Sequence, residues 1–345
     1  MPQFDLGELG WDPSLADHLE PHQLPARVAV EHRGQFVVYA AHGELRVRLP
    51  GRMRHEGAEV AVGDWVAIAD DAVVQSVLPR RSAIVRNAAF SYATAQTLAA
   101  NVDLALVVTS LGPDLEPRRI ERYLVSIWES GASPEIVLTK ADRMDDPWPL
   151  VAQVEAVAPG VPVHVVSALT GQGCDALRAR LQTGTTAVLL GSSGVGKSTL
   201  VNRWCGEQVM ATTETRADDD EGRHTTTHRE LILLPGGGIV IDTPGLRELQ
   251  LWDVGADALE ATFTDVEELA GGCRFNDCSH TQEPDCAVLA ALESGELEHA
   301  RLQSWRKLQR ELRAIALRHD VLLRKEEARK WRIRNREGRA RARLR

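Results

Sequence analysis

The sequence predicts a multidomain protein: an N-terminal β-barrel, a central α/β domain on a parallel sheet, and a C-terminal helical domain with a metal-binding segment. Three observations predict it. Short strand-like runs separated by turn residues fill the region from Arg27 to about Arg86. From Val102 to Ile241, near-continuous apolar runs alternate with amphipathic helical stretches, the pattern of a parallel sheet covered on both faces. Beyond Leu246 the strand runs stop, and Cys273, Cys278, His280 and Cys286 lie between helical stretches. A chain of 345 residues has room for two or three such domains.

Residues 1–25 are rich in proline and weakly patterned, so an extended or frayed N-terminal extension is expected. The barrel is placed at 26–87. Its runs are Arg27–Val30, Phe36–Tyr39, Leu45–Leu49, Trp65–Ile68 and Ala72–Val74, which fit a small closed barrel of the OB or SH3-like type. Arg27, Arg33, Arg46, Arg48, Arg52 and Arg54 recur through it and suggest a face for nucleic acid, with a purely packing barrel as the alternative. Ala88 to Gln96 reads as a linker. The central domain, 97–250, has runs at Val102–Val108, Glu135–Leu138, Val163–Val166, Ala187–Leu190 and Ile239–Ile241, with helices at Pro117–Ser130 and Pro149–Ala158. The last domain, 251–345, has helical patterns over 256–270 and 287–345.

Composition narrows the class. Met1 to Trp11 carries acidic residues and no apolar run, so no signal peptide is expected. No stretch approaches a membrane span, so the expected location is the cytoplasm. The net charge of −9 is unevenly spread. Arg324 to Arg345 holds 11 basic and 3 acidic residues, a net of +8, leaving −17 for the rest. A basic tail on an acidic protein suggests a polyanionic partner, against the plainer reading of a solvated helix end. Five cysteines are too few for a disulfide scaffold, and Cys174 and Cys205 stand apart from the cluster.

The chemistry-bearing residues follow the apolar runs. Gly191-Ser192-Ser193-Gly194-Val195-Gly196-Lys197-Ser198 is a phosphate-binding loop after Ala187–Leu190, with Thr199 opening the next helix. Its glycines let backbone N–H groups wrap phosphates, Lys197 reaches the β/γ oxygens, and Ser198 ligates Mg²⁺. Asp242, ending the run Ile239–Ile241, begins Asp-Thr-Pro-Gly. Its carboxylate suits Mg²⁺, usually through water, and the Gly245 N–H suits a γ-phosphate. Thr139-Lys140-Ala141-Asp142 distinguishes the base. The Asp142 carboxylate can accept from guanine N1–H and the 2-amino group, a pair that adenine lacks, while the Lys140 stem packs over the ring. Ser167-Ala168 places the Ala168 N–H against guanine O6. The base-reading pieces precede the phosphate loop, the reverse of the usual order. The chain therefore runs from Gly245 and Leu246 out towards the cysteine cluster.

With these residues in place, the chain resembles the circularly permuted GTPases, and among them the ribosome small-subunit-dependent RsgA/YjeQ family. The resemblance covers about 27 to 320. It rests on Gly222-Arg223-His224-Thr225-Thr226-Thr227, Gly191–Ser198, Asp242–Gly245 and Cys273-x4-Cys278-x-His280-x5-Cys286. It implies an OB-fold barrel, a permuted GTPase domain and a helical zinc domain. It also implies a monomer, with no membrane partner, that binds GTP/GDP, the 30S subunit and 16S rRNA in late subunit maturation, its turnover stimulated by the subunit. Thr139 departs from the asparagine common in the family. Leu246 occupies the place of a water-orienting glutamine, so the resemblance implies that another group supplies that contact, with His224 the candidate. Thr226 is the expected second Mg²⁺ ligand among the three threonines. Three thiolates and an imidazole suit one structural, tetrahedral Zn²⁺ without an open position. Two other readings compete: an RNA-binding module with a weakly hydrolytic regulatory site, and a P-loop ATPase or kinase, which Asp142 and Ala168 disfavour.

Overall fold

The computed structural model describes residues 3–32, 35–69, 72–87, 95–112, 115–210, 229–242 and 256–319. It divides into two units, Met1–Gln250 and Leu251–Arg345.

In the first unit, β1 (Leu24–His32), β2 (Gln35–Ala40), β3 (Gly43–Arg48), β4 (Trp65–Ile68) and β5 (Val74–Val77) make the barrel. β1 pairs with both β2 and β4, β2 with β3, and β4 with β5. A parallel bridge between Arg48 and Val73 joins β3 to the entry of β5 and closes the ring. This connectivity selects the OB type over the SH3-like one. A short helix, α1 (Gly51–His55), follows β3 and buries Met53. The last barrel strand lies a few residues later than the expected Ala72–Val74, because Ala72 is used up in a turn with φ +58°.

The N-terminal extension is neither extended nor frayed. A 3₁₀ turn at Pro13–His18, started by the Asp12 side chain, buries Leu15. Leu9 and Leu15 pack with Trp65 and Leu78, Phe4 stacks on Tyr39 at 4.5 Å, and Trp11 meets Trp65 edge-on at 4.8 Å. Part of the expected linker is strand as well. β6 (Ala83–Asn87) pairs with β7 (Ala95–Ala100) as an antiparallel hairpin.

The central sheet contains β8 (Leu104–Ser110), β9 (Ser133–Thr139), β10 (Val163–Val165), β11 (Thr186–Leu190), β12 (Glu230–Leu233) and β13 (Ile239–Asp242). Its order is β10-β9-β8-β11-β13-β12, with every pair parallel except the last. Period-two alternation sends Leu106 and Val108 to one face and Val107 to the other. On Val107's side lie α2 (Pro117–Ser130), with Ile120, Leu124 and Ile127 inward at helical spacing, and α3 (Trp148–Val157). On the other side lie α4 (Cys174–Arg178) and α5 (Lys197–Cys205), through Leu177, Leu200 and Val201. Proline at the start of α2 and left-handed Gly131 after it set its ends. Glu135 is buried in β9. Burial works to raise its pKa, but His164 (2.8 Å) and Arg180 (2.7 Å) hold the carboxyl below its ordinary range.

Barrel and central sheet share one continuous hydrogen-bonded ribbon. β1 pairs with β12 at Val30 and Glu230, and a register shift between Val28 and Val30 bends β1 where it passes between the two layers. Arg229 Nη1 reaches Glu31 Oε2 and Thr97 O, each at 3.3 Å. Arg27, one of the arginines expected on a nucleic-acid face, is fully buried at the same joint. Arg46 and Arg48, by contrast, stand on the exposed side of β3, and Arg52 and Arg54 are exposed on α1. Arg33 lies outside the described residues.

The second unit has α6 (Ala256–Thr262), α7 (Thr264–Ala270), α8 (Ala287–Ser294) and α9 (His299–His319). The helix expected over 256–270 breaks at Phe263, whose backbone turns to φ −118°, ψ 44° while its ring is fully buried. Arg301 covers that ring at 4.1 Å and holds Asp265 at 2.8 Å and the Thr262 carbonyl at 2.8 Å. The basic tail from Arg324 onward lies outside the described residues. No described helix is long and apolar enough to cross a membrane.

Candidate functional site

Each described nucleotide motif begins at the carboxyl end of a parallel strand, so the motifs share one edge of the sheet, where open α/β sheets bind ligands. The phosphate loop follows β11. Gly191 has φ +145°, and a Cβ there would lie 2.0 Å from Val108 O on β8, so only glycine passes. Gly196 has φ +101° and precedes α5, whose N-terminus is suited to an anion. Within the loop Lys197 Nζ donates to Gly191 O at 2.8 Å and to Ser192 O at 2.7 Å. Ser198 is half-buried, and Ser193, Gly194 and Thr199 are exposed.

The base-reading loop follows β9. Lys140 adopts a left-handed backbone (φ +60°), a conformation costing a non-glycine residue about 1–2 kcal/mol. It turns the chain directly into Asp142, which is exposed. Ser167, fully buried after β10, donates its hydroxyl to Asp142 Oδ1, and its oxygen accepts from Thr170 N at 3.2 Å. Asp142 therefore keeps one carboxylate orientation and a free edge towards solvent. Ala168 is half-buried beside it.

Cross-links bind the loops together. Thr139, buried at the end of β9, sets its hydroxyl against Val195 O of the phosphate loop and 3.2 Å from Thr109 O. Thr139 stands where asparagine is common in the family. What the geometry gives is a hydroxyl tying the base-reading loop to the phosphate loop. Arg203 on α5 donates to Ala168 O at 3.1 Å, so the phosphate-loop helix also supports the second base-reading loop. Arg119 on α2 donates to Ser192 Oγ at 3.0 Å. No motif marks Arg119 or Arg203; each is an ordinary helical arginine in sequence. Asp242 ends β13 at the same sheet edge, half-buried. His224, Thr225, Thr226, Thr227, Gly245 and Leu246 lie outside the described residues.

In the second unit, the donor atoms of Cys273, Cys278, His280 and Cys286 all lie within 4.8 Å of one another, a cluster able to hold a metal ion. His280 turns Nδ1 inward, 3.6 Å from Cys273 Sγ and 3.4 Å from Cys286 Sγ, and the two sulfurs are 3.8 Å apart. Its left-handed backbone (φ +55°) and the Arg306 hydrogen bond to its carbonyl fix the ring, which packs 5.6 Å from Trp305.

A phosphate loop tied to a guanine-type base loop, on a sheet whose strands run in permuted chain order, defines a circularly permuted P-loop GTPase. A family model described as RsgA GTPase matches residues 77–252. The small ribosomal subunit biogenesis GTPase RsgA of Streptomyces avermitilis is 48% identical over 96% of this chain and 92% of its own. That of Opitutus terrae is 45% identical over 98% of each chain. Among solved structures, YjeQ from Thermotoga maritima superposes with a TM-score of 0.63 at 27% identity, covering 84% of this chain and 98% of its own. YloQ, described as a circularly permuted GTPase, gives 0.60 at 25%, covering 85% and 96%. The chain belongs to the RsgA GTPase family.

Proposed function

We propose that this GTPase acts on the 30S ribosomal subunit as a late-maturation checkpoint, contacting 16S rRNA, with turnover stimulated by the subunit. The observation that carries the reading is the cross-linked pair of loops, Thr139 to Val195 and Ser167 to Asp142, beside relatives named for small-subunit biogenesis. A decayed nucleotide site would have no reason to keep both. Asp142, Lys140 and the Ala168 N–H read guanine; loop N–H groups from Gly191 to Gly196 and the Lys197 ammonium hold the phosphates. Ser198 and Thr226 would hold Mg²⁺, with Asp242 behind it. Bound Mg²⁺ offsets charge on the β- and γ-oxygens. Gly245 offers its N–H to the γ-phosphate, and His224 orients the attacking water. Exposed Arg46 and Arg48 on one face of β3, with exposed Arg52 on the following helix, suit an RNA backbone. The protein is read as a cytoplasmic monomer.

Phosphate release from GTP and from ATP, each with and without 30S subunits, tests this. GTP alone should be turned over, and faster with subunits. Equal use of ATP would favour the P-loop ATPase reading, and weak GTP turnover without response to subunits would leave the RNA-binding-module reading.

The cysteine cluster is proposed to hold one structural Zn²⁺. With metal–sulfur distances of about 2.3 Å and metal–nitrogen distances of about 2.0–2.1 Å, tetrahedral corners lie about 3.8 Å (S···S) and about 3.5 Å (S···N) apart. The separations of 3.8, 3.6 and 3.4 Å fit that figure. Metal analysis of the purified chain should find about one zinc per molecule, and Cys278→Ser should lose most of it. A well-folded wild type without zinc would overturn the assignment.

A further inference from the structure

We infer that Arg119 is a positioning residue for GTP hydrolysis: it clamps Ser192 and so holds the end of the phosphate loop on which Lys197 rests. α2 starts at the carboxyl end of β8, the same edge as the phosphate loop. Its first turn carries Arg118 and Arg119 and no acidic residue. Cations there oppose the helix dipole, so helix stability does not account for them. Glu116, at the N-cap, makes no capping hydrogen bond; its carboxylate holds Arg119 Nη2 at 2.7 Å instead. The other end of the guanidinium, Nη1, donates to Ser192 Oγ at 3.0 Å. The guanidinium, exposed at the rim of the site, bridges Glu116 and Ser192 through its two terminal nitrogens, a geometry that orients Ser192.

Ser192 is held from two sides. Arg119 takes its hydroxyl, and Lys197 Nζ takes its carbonyl at 2.7 Å. Because the lysine of such a loop reaches the β/γ oxygens, the carbonyls on which it rests mark the loop end nearest the terminal phosphate. Arg119 acts on that end and on nothing that reads the base. Its loss should therefore lower turnover and the preference for triphosphate over diphosphate, while GDP affinity is kept.

The inference rests on the GTPase reading, and a double-mutant cycle separates the two. GTP turnover, GTP-analogue affinity and GDP affinity are measured for wild type, Arg119→Ala, Ser192→Ala, the double variant and Arg119→Lys, in the whole chain. Each single alanine variant should lose roughly 3–10-fold in kcat, with the double variant no worse than the poorer single, as for two residues acting through one contact. GDP affinity should change less than about twofold, a shift within the noise of independent sites. Arg119→Lys should recover only part of the loss, because one ammonium cannot hold Glu116 and Ser192 in the fork geometry. Additive losses, equal falls in GTP and GDP affinity, or unchanged kcat would overturn the inference. A wild type without GTP turnover would instead overturn the GTPase reading itself.

Discussion

Lys197→Ala is expected to lower kcat/KM for GTP by about 10²–10³-fold, the scale seen when one preorganised charge-stabilising donor is removed from an active site. The geometry says why the loss is catalytic rather than structural. Lys197 is half-buried at the first turn of α5 and donates to the carbonyls of Gly191 and Ser192, at 2.8 and 2.7 Å. Both belong to the loop it serves, and both can be satisfied by water once the ammonium is gone. The helix behind it is anchored independently by buried Leu200 and Val201. The thermal midpoint should therefore move little while phosphate release collapses. Lys197→Arg should not restore activity. A compact ammonium satisfies two carbonyls from one point, whereas the larger planar fork must displace the loop to do so. A variant that kept more than about a tenth of wild-type turnover would contradict the role given to Lys197.

The phosphate loop and the base loop were legible in the sequence because their chemistry needs contiguous residues. A loop whose backbone wraps phosphate must be one unbroken run of glycines and small residues. A carboxylate that reads guanine must sit at the end of a strand. What holds those loops in place was not legible, because it joins residues far apart in the chain. Thr139 meets Val195 across 56 positions, and Arg119 meets Ser192 across 73. Each supporting side chain is an ordinary helical arginine or strand-end threonine until the fold closes. The barrel was legible from short strand-like runs between turn residues, although its type was decided only by the parallel Arg48–Val73 bridge. The N-terminal extension misled for the opposite reason. Phe4, Leu6, Leu9 and Trp11 pack as an irregular segment, and irregular packing has no period to read. β12 was missed because its apolar run, Leu231 to Leu234, is only four residues long, too short to carry a readable period.

The Arg27→Met variant is expected to destabilise the first unit by about 3 kcal/mol, the net of two opposed effects. Arg27 is fully buried. Burial pulls its pKa down to about 10, with Asp103 and Asp64 opposing the fall, so it remains charged at neutral pH. Its guanidinium donates to Leu9 O, to Asn101 O at 3.2 Å, to Gly63 O at 3.3 Å and to Thr186 Oγ1 at 2.8 Å, with Trp65 5.7 Å away. Methionine has similar length and relieves the desolvation of a cation. It also leaves the buried carbonyls of Leu9 and Asn101 without that donor, at about 1–3 kcal/mol each, while Gly63 O still accepts from Asn101 Nδ2 at 3.0 Å. The four acceptors lie on the N-terminal extension, the barrel loop, the residue after β7, and the first residue of β11, the strand that delivers the phosphate loop. The barrel and the nucleotide-binding sheet are therefore tied at the root of the catalytic strand, besides sharing β1 and β12. If that is so, calorimetry on Arg27→Met should show both layers melting in one transition, lowered together by about 5–10 °C. Thr186→Val, which removes one acceptor and keeps the donor and the other three contacts, should shift the same transition by less. A barrel that unfolded separately, leaving the sheet and its nucleotide affinity at the wild-type midpoint, would show that Arg27 packs the barrel alone.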